Sequence, residues 1–202
     1  MDQLKDERAV ELFGLIAVSD RKAFDEFFRK SYATLVVFGC RYVKDKQTAS
    51  DIVQEAFIKL WNNRSSLKDV ELPKSYLYRT VRNLSLNYIR DNANTQPGLE
   101  LVSDRAVTAG EEQISWIDPT EQSDDDDTQK RLSLVKLWIS QLPERQREAF
   151  ELSRFEGLDH HEIADVMNVS ARTVNNHIVE ALKNIQKIRE MDEKKNVIAG
   201  HG

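Results

Sequence analysis

Arg172, Thr173, Asn175, Asn176 and His177 crowd into positions 172–177, and each side chain can hydrogen-bond a base edge or a phosphate. They form a reader only if one helix presents them together, and the flanking residues supply that helix. Residues 158–183, Leu-Asp-His-His-Glu-Ile-Ala-Asp-Val-Met-Asn-Val-Ser-Ala-Arg-Thr-Val-Asn-Asn-His-Ile-Val-Glu-Ala-Leu-Lys, read as two short helices around a tight turn. That arrangement pushes its second helix into the DNA major groove. Asp159 and Ser170 each offer a short side-chain acceptor just before an apolar-periodic run, so each is the expected N-cap of its helix. Asn168 suits the left-handed turn between them. Ile163, Ala164, Met167, Val169, Val174, Ile178 and Leu182 are expected to face inward, leaving the polar set outward. The segment is a DNA-binding helix-turn-helix by this reading.

A second constellation lies upstream. A helix opening after Pro73 has Tyr76, Leu77, Thr80, Val81, Leu84, Tyr88 and Ile89 as packing candidates. Its other faces carry Tyr78, Arg79, Arg82, Asn83 and Asn87. Rings stack on bases, guanidinium groups hold phosphates and amides read an exposed base edge, so this mixture suits single-stranded nucleic acid. The preceding helix, Asp51 to Trp61, puts Ile52, Val53, Ala56, Phe57, Leu60 and Trp61 on one stripe, with Asp51, Gln54 and Glu55 opposite. Thr48 and Asp51 resemble a capping box at its start. Further upstream, Ala23, Phe24, Phe27, Phe28, Leu35, Val36, Gly39, Tyr42 and Val43 recur at helical spacing. Nothing in this half alternates like a strand.

The elements must sit in a chain of 202 residues whose net charge of −5 looks wrong for a DNA binder. Its distribution removes the difficulty. Between Leu99 and Asp127 there are ten acidic residues and one basic, and without that stretch 28 basic residues face 24 acidic ones. Basic residues gather at Lys74, Arg79, Arg82 and Arg90, and again at Arg172, Lys183, Lys187 and Arg189. Two nucleic-acid-binding ends with a different middle are the implication. In that middle, Pro97, Gly98, Gly110, Pro119 and the run Asp124 to Asp127 predict an extended acidic linker, with Trp116 and Ile117 as apolar exceptions. The expected fold is therefore all-α: two small helical domains, 1–91 and 129–202, joined by a flexible acidic linker over 92–128.

Other chemistries fit poorly. His161-Glu162-Ile-Ala-Asp165 misses a zinc-hydrolase pattern because its second ligand position is Asp and no third ligand is evident. The four aspartates lack the alternating ligands and mid-loop Gly of a calcium loop. No glycine-rich phosphate loop and no nucleophile arrangement appears, so neither catalysis nor a cofactor, metal or small-molecule substrate is expected. No run is long and apolar enough to cross a bilayer, and the single cysteine, Cys40, suits packing in a reducing cytoplasm.

Taken together, these segments resemble an extracytoplasmic-function sigma factor, the minimal two-domain kind of bacterial sigma factor, from about Asp20 to Lys187. Asp51-Ile-Val-Gln-Glu-Ala-Phe-Ile-Lys-Leu-Trp61 resembles the helix that grips the coiled-coil clamp of core RNA polymerase, which implies Asp51, Gln54 and Glu55 as the polymerase-facing set. Tyr76-Leu-Tyr-Arg-Thr-Val-Arg-Asn-Leu-Ser-Leu-Asn-Tyr-Ile-Arg90 resembles the capture helix for the melted minus-ten element, which implies Tyr76, Arg79, Arg82, Asn83 and Asn87 as its contacts. Leu142 to Leu152 and Glu162 to Leu182 resemble the minus-thirty-five reader, implying Arg172, Thr173, Asn175, Asn176, His177 and Lys183. Two departures stand out: Tyr76 replaces a frequent Trp, and Glu180 stands where many members carry a basic residue. The resemblance implies promoter DNA and core polymerase as partners, and an inhibitory anti-sigma factor, often membrane-tethered. The alternative reading is a stand-alone helix-turn-helix regulator, which would bind promoter DNA without polymerase.

Overall fold

A computed structural model describes residues 3–70, 72–95 and 126–199, and every regular element among them is helical. The acidic stretch 96–125, with Trp116 and Ile117, lies outside the described residues. The chain divides into two compact units: Met1–Arg105 with Asp165–Asn168, and Ala106–Ala164 with Val169–Gly202. Helix extends into both ends of the span expected to be linker. The upstream helix runs on to Thr95, and the next begins at Asp126. A helix dipole favours negative charge in its first turn, so a run of aspartates can start a helix as well as extend a chain.

The first unit is built from α1 (Gln3–Ala17), α2 (Arg21–Val43), α3 (Lys46–Asn62), a 3-10 segment (Arg64–Asp69) and α4 (Pro73–Thr95). Short connections force neighbouring helices to fold back on each other. Ser19, in the left-handed region, turns the chain between α1 and α2, where Asp20 caps α2 by accepting from the Lys22 and Ala23 amides at 2.8 and 3.1 Å. Lys44, also left-handed, ends α2 and donates its amide to the Cys40 carbonyl at 2.9 Å. Asp45 then caps α3, accepting from the Thr48 amide at 2.7 Å. The capping box expected from Thr48 and Asp51 is thus replaced by a cap one turn earlier, and Asp51 instead accepts from the Gln47 side chain at 3.1 Å.

Packing follows the apolar stripes closely. Phe13, Phe27, Leu35, Ile52, Val53, Ala56, Phe57, Leu60, Leu77 and Val81 are buried, and Phe13 meets the Phe27 ring edge-on at 5.0 Å. Phe38, absent from the expected set, is 1 % exposed and contacts the rings of Tyr42 and Tyr78. Phe24, Phe28, Tyr42 and Val43 are only half-buried. Tyr88, expected to pack, is instead exposed, because Ser85 is the last fully buried residue of α4 and the helix runs on past the core. Cys40 is buried as expected, and burial pushes its thiol up. Gly39 sits at a close approach of three helices: a β-carbon there would lie 3.4 Å from the Ala49 side chain and 3.5 Å from that of Val81.

The second unit comprises α5 (Asp126–Ser140), α6 (Glu144–Arg154), the first part of α7 (His160–Met167) and α8 (Ala171–Ala199). α8 is its spine, with α5 and α6 both packed on it. Ile139, Leu142 and Ala181 form a buried cluster joined by the partly buried Phe150 and Ile185. Polar ties add register: Asn184 donates to Gln146 at 2.7 Å, and the Trp138 indole donates to Asp192 at 2.6 Å. None of the described helices is long and apolar enough to cross a membrane.

Two tests follow. Gly39→Ala places a methyl group at ordinary contact distance and removes a mid-helix glycine, so chemical denaturation should show stability unchanged or raised by up to about 1 kcal/mol. Gly39→Leu should instead lower it by about 1–3 kcal/mol through overpacking against Ala49 and Val81.

The second test concerns pH. Arg8 grips Glu26 with two guanidinium nitrogens, at 3.2 and 2.6 Å, joining α1 to α2, and Lys30 adds a contact at 2.8 Å. Those hydrogen bonds, Arg8 first and Lys30 second, hold the Glu26 carboxyl at about 2 instead of 4.5. A depressed folded-state value stabilises above the ordinary carboxylate range and is lost as pH falls toward about 2. Glu26→Gln should therefore flatten the stability-against-pH curve between about 4.5 and 2, read by thermal melts across that window.

Candidate nucleic-acid interface

Three outward helix faces hold the residues singled out by sequence. On α3, each residue advances about 100° around the axis, which places Asp51, Gln54, Glu55, Ile58 and Asn62 on one side. All five are exposed, opposite the buried Val53, Ala56 and Leu60. Glu55 pairs with Lys59 at 2.9 Å. Ile58 was not anticipated as a site residue, yet it sits at the centre of the polar stripe with 58 % of its surface exposed. Its single position outside the apolar period was the available signal.

On α4, Tyr76, Arg79, Asn83, Asn87 and Arg90 fall within about 80° of arc, opposite Val81 and Ser85. Asn83 and Asn87 are exposed one turn apart. Tyr76 is half-buried: its ring meets Phe13 edge-on at 6.2 Å and lies under the Arg79 guanidinium at 6.0 Å, so it supports the stripe as well as belonging to it. Arg90 completes the stripe and is exposed, although sequence reasoning counted it only as a basic residue. Arg82 departs from expectation. It lies about 100° off Asn83 around the helix, and it is 8 % exposed, so its side chain is taken into the fold instead of being offered outward. A long apolar stem lets arginine pack in this way.

On α8, local chemistry sets the geometry. Asp159 accepts from the His161 and Glu162 amides at 2.7 and 2.9 Å, while Glu162 reaches back to the Asp159 amide at 2.9 Å. This reciprocal capping box starts α7. Asn168 adopts φ 54°, and the Val169 amide closes on the Ala164 carbonyl at 3.0 Å, ending α7 in the manner of a Schellman turn. Ser170 then caps α8 by accepting from the Thr173 amide at 3.1 Å. α7 buries Ile163, Val166 and Met167; α8 buries Val174, Ile178 and Ala181. Leu182, expected inside, is 45 % exposed, because Ala181 completes the stripe Val174, Ile178, Ala181, Ile185 at seven-residue spacing.

The opposite face of α8 exposes Arg172, Asn175, Asn176 and Lys183. Thr173 and His177 are half-buried toward the packed side, and the Thr173 hydroxyl lies 2.8 Å from that of Ser170. Lys183 pairs with Glu180 at 2.9 Å. A helix with this free polar face and its packed apolar back can enter a major groove about 12 Å wide.

Comparison with known proteins gives a consistent result. A family model described as Sigma-70 region 2 matches residues 27–95, and one described as Sigma-70, region 4 matches 134–185. The RNA polymerase sigma-H factor of Pseudomonas aeruginosa is 29 % identical over 185 residues, covering 91 % of this chain and 95 % of that one. The ECF RNA polymerase sigma-E factor of Haemophilus influenzae is 26 % identical over 200 residues, covering 96 % of each. That of Escherichia coli K12 is 28 % identical over 183 residues, covering 89 % and 92 %. The fold is shared with CnrH, solved in complex with the cytosolic domain of CnrY (TM-score 0.61, 17 % identity, 92 % of this chain and 99 % of that one). It is also shared with the sigma factor RpoE of Bartonella quintana, solved with the anti-sigma factor NepR (TM-score 0.59, 20 % identity, 85 % and 99 %).

The turn between α7 and α8 is open to a direct test. Asn168→Gly should leave thermal stability nearly unchanged, whereas Asn168→Ala should cost about 1 kcal/mol, since only the latter strains a left-handed position.

Proposed function

Because the chain belongs to the sigma-70 family, in its extracytoplasmic-function branch, we propose that its three outward helix faces divide the labour of an alternative sigma factor. The α3 face of Asp51, Gln54 and Glu55 docks core RNA polymerase, with Ile58 as an apolar anchor among the charges. The α4 stripe of Tyr76, Arg79, Asn83, Asn87 and Arg90 holds the melted minus-ten strand, its amides hydrogen-bonding an unstacked base. On α8, Arg172, Asn175, Asn176 and Lys183, flanked by Thr173 and His177, read the minus-thirty-five duplex. The single observation that carries this reading is geometric: α3 and α4 pack together yet expose different chemistry, one face charged around an isoleucine, the other amide, aromatic and basic.

The protein performs no catalysis of its own in this reading and works in the cytoplasm beside the polymerase that supplies the chemistry. RpoE of Bartonella quintana was solved with an anti-sigma factor, and an inhibitor of that kind covering Asp51 and Glu55 would keep this chain off the polymerase.

Two variants separate the roles. Reversing charge at Asp51 and Glu55, both exposed, should leave helix content intact and weaken assembly with core polymerase. Asn83→Ala should leave assembly intact and impair strand opening, by about 1–3 kcal/mol if a buried base contact goes unmade. Core affinity by titration and permanganate-detected melting measure the two effects. Normal melting by the Asn83 variant together with a collapse of its core affinity would overturn the assignment, and tight promoter binding by the free protein would favour a stand-alone regulator.

A further inference from the structure

The outward face of α8 contains one acidic residue in the midst of the groove-facing set. Counting about 100° per residue, Arg172, Lys183 and Asn176 lie within about 40° of one another, and Glu180 lies about 40° beyond Asn176, still on the exposed side. The buried Val174, Ile178 and Ala181 occupy the far side of the helix. Its carboxylate receives the Lys183 ammonium at 2.9 Å, one helical turn on. Contact with Lys183, reinforced by Lys187, holds the carboxyl below its ordinary range, so at neutral pH it is a charged group that can only accept hydrogen bonds.

A carboxylate on a DNA-facing helix repels every phosphate it approaches, so it weakens binding to all sequences except one that offers it a donor. In the major groove cytosine presents its N4 amine, the natural partner of a glutamate. Eight residues separate Arg172 from Glu180, a rise of about 12 Å, close to the width of the groove. A helix that places Arg172 over one part of the site therefore brings Glu180 over another. Lys183 neutralises the carboxylate's far side and can point its remaining protons at the flanking phosphate, so the repulsion is offset where the pair sits in register.

We propose that Glu180 selects the minus-thirty-five sequence by accepting a hydrogen bond from a cytosine N4 amine, with Lys183 holding its carboxylate in place. This rests on the reading of α8 as the duplex reader.

The test uses holoenzyme reconstituted with the full chain and a promoter library randomised across the minus-thirty-five element. Wild type should prefer a C·G pair at one position, on the order of tenfold. E180Q should lose that preference or move it toward adenine, whose N6 and N7 suit an amide. E180K should raise affinity for all sequences at low salt, steepen the salt dependence by about one phosphate contact, and abolish the cytosine preference. Unchanged base preference in both variants, whatever happens to overall affinity, overturns the proposal and leaves Glu180 as half of a solvated ion pair. R172A run in parallel separates the two levels. If it relaxes preference elsewhere in the element while the Glu180 variants change none, only this proposal fails; if it too changes no preference, the reading of α8 fails with it. Melting curves for all three exposed-site variants should match wild type.

Discussion

The close approach of three helices at Gly39 governs the first unit. Ala49 on α3 and Val81 on α4 are both fully buried there, and either would be displaced by anything much larger than a methyl group. With the backs of α3 and α4 pressed against α2, their remaining surfaces are forced outward. That is how one small helical unit keeps two outward faces of different chemistry apart, the one proposed to dock polymerase and the one proposed to hold nucleic acid. The aromatic contacts around Phe13, Phe27 and Phe57 pack the unit further toward the start of α2. They add burial but do not set how closely the helices approach.

In the second unit the constraint is local. A capping box at Asp159, a left-handed Asn168 and a cap at Ser170 fix where α7 ends and α8 begins within a span of twelve residues. Tertiary packing then needs only to seat α8 against α5 and α6, through Ile139, Leu142 and Ala181. The side chains proposed to meet DNA project from a helix whose start is defined by backbone hydrogen bonds and whose back is buried. Their positions relative to one another are therefore set before any ligand arrives.

Legibility in the sequence tracks this difference. The helix-turn-helix was readable almost residue by residue because its determinants are short-range: acceptor side chains at caps and an asparagine at the turn. The helical fold class and the stripes of α3 and α4 were readable from apolar period. What escaped depends on longer-range facts. Asp45, directly after the left-handed Lys44 that ends α2, caps α3 in place of the expected Thr48 and Asp51, because the chain turns into the next helix one turn earlier than the apolar period shows. Leu182 and Ala181 differ by one step of phase, and the larger residue lost the interior because close helix packing favours the smaller. Arg82 reads as a surface cation until the tertiary fold shows its stem buried, and Ile58, an isoleucine outside the apolar stripe, becomes a surface feature only when the fold leaves that side of α3 uncovered.

α8 runs without interruption from Ala171 to Ala199, carrying its outward polar residues in the first turns and its Asn184 and Asp192 anchors further along. Reader and anchor thus share one axis with no joint between them. A single residue inserted between Ile178 and Asn184 would swing the outward face by about 100° relative to the anchored part, and a longer insertion that restores the angle still moves the two parts about 1.5 Å per residue along the axis. The sequence preference proposed for the exposed arc can accordingly change by substitution along it, whereas changes of length within that helix are closed to it.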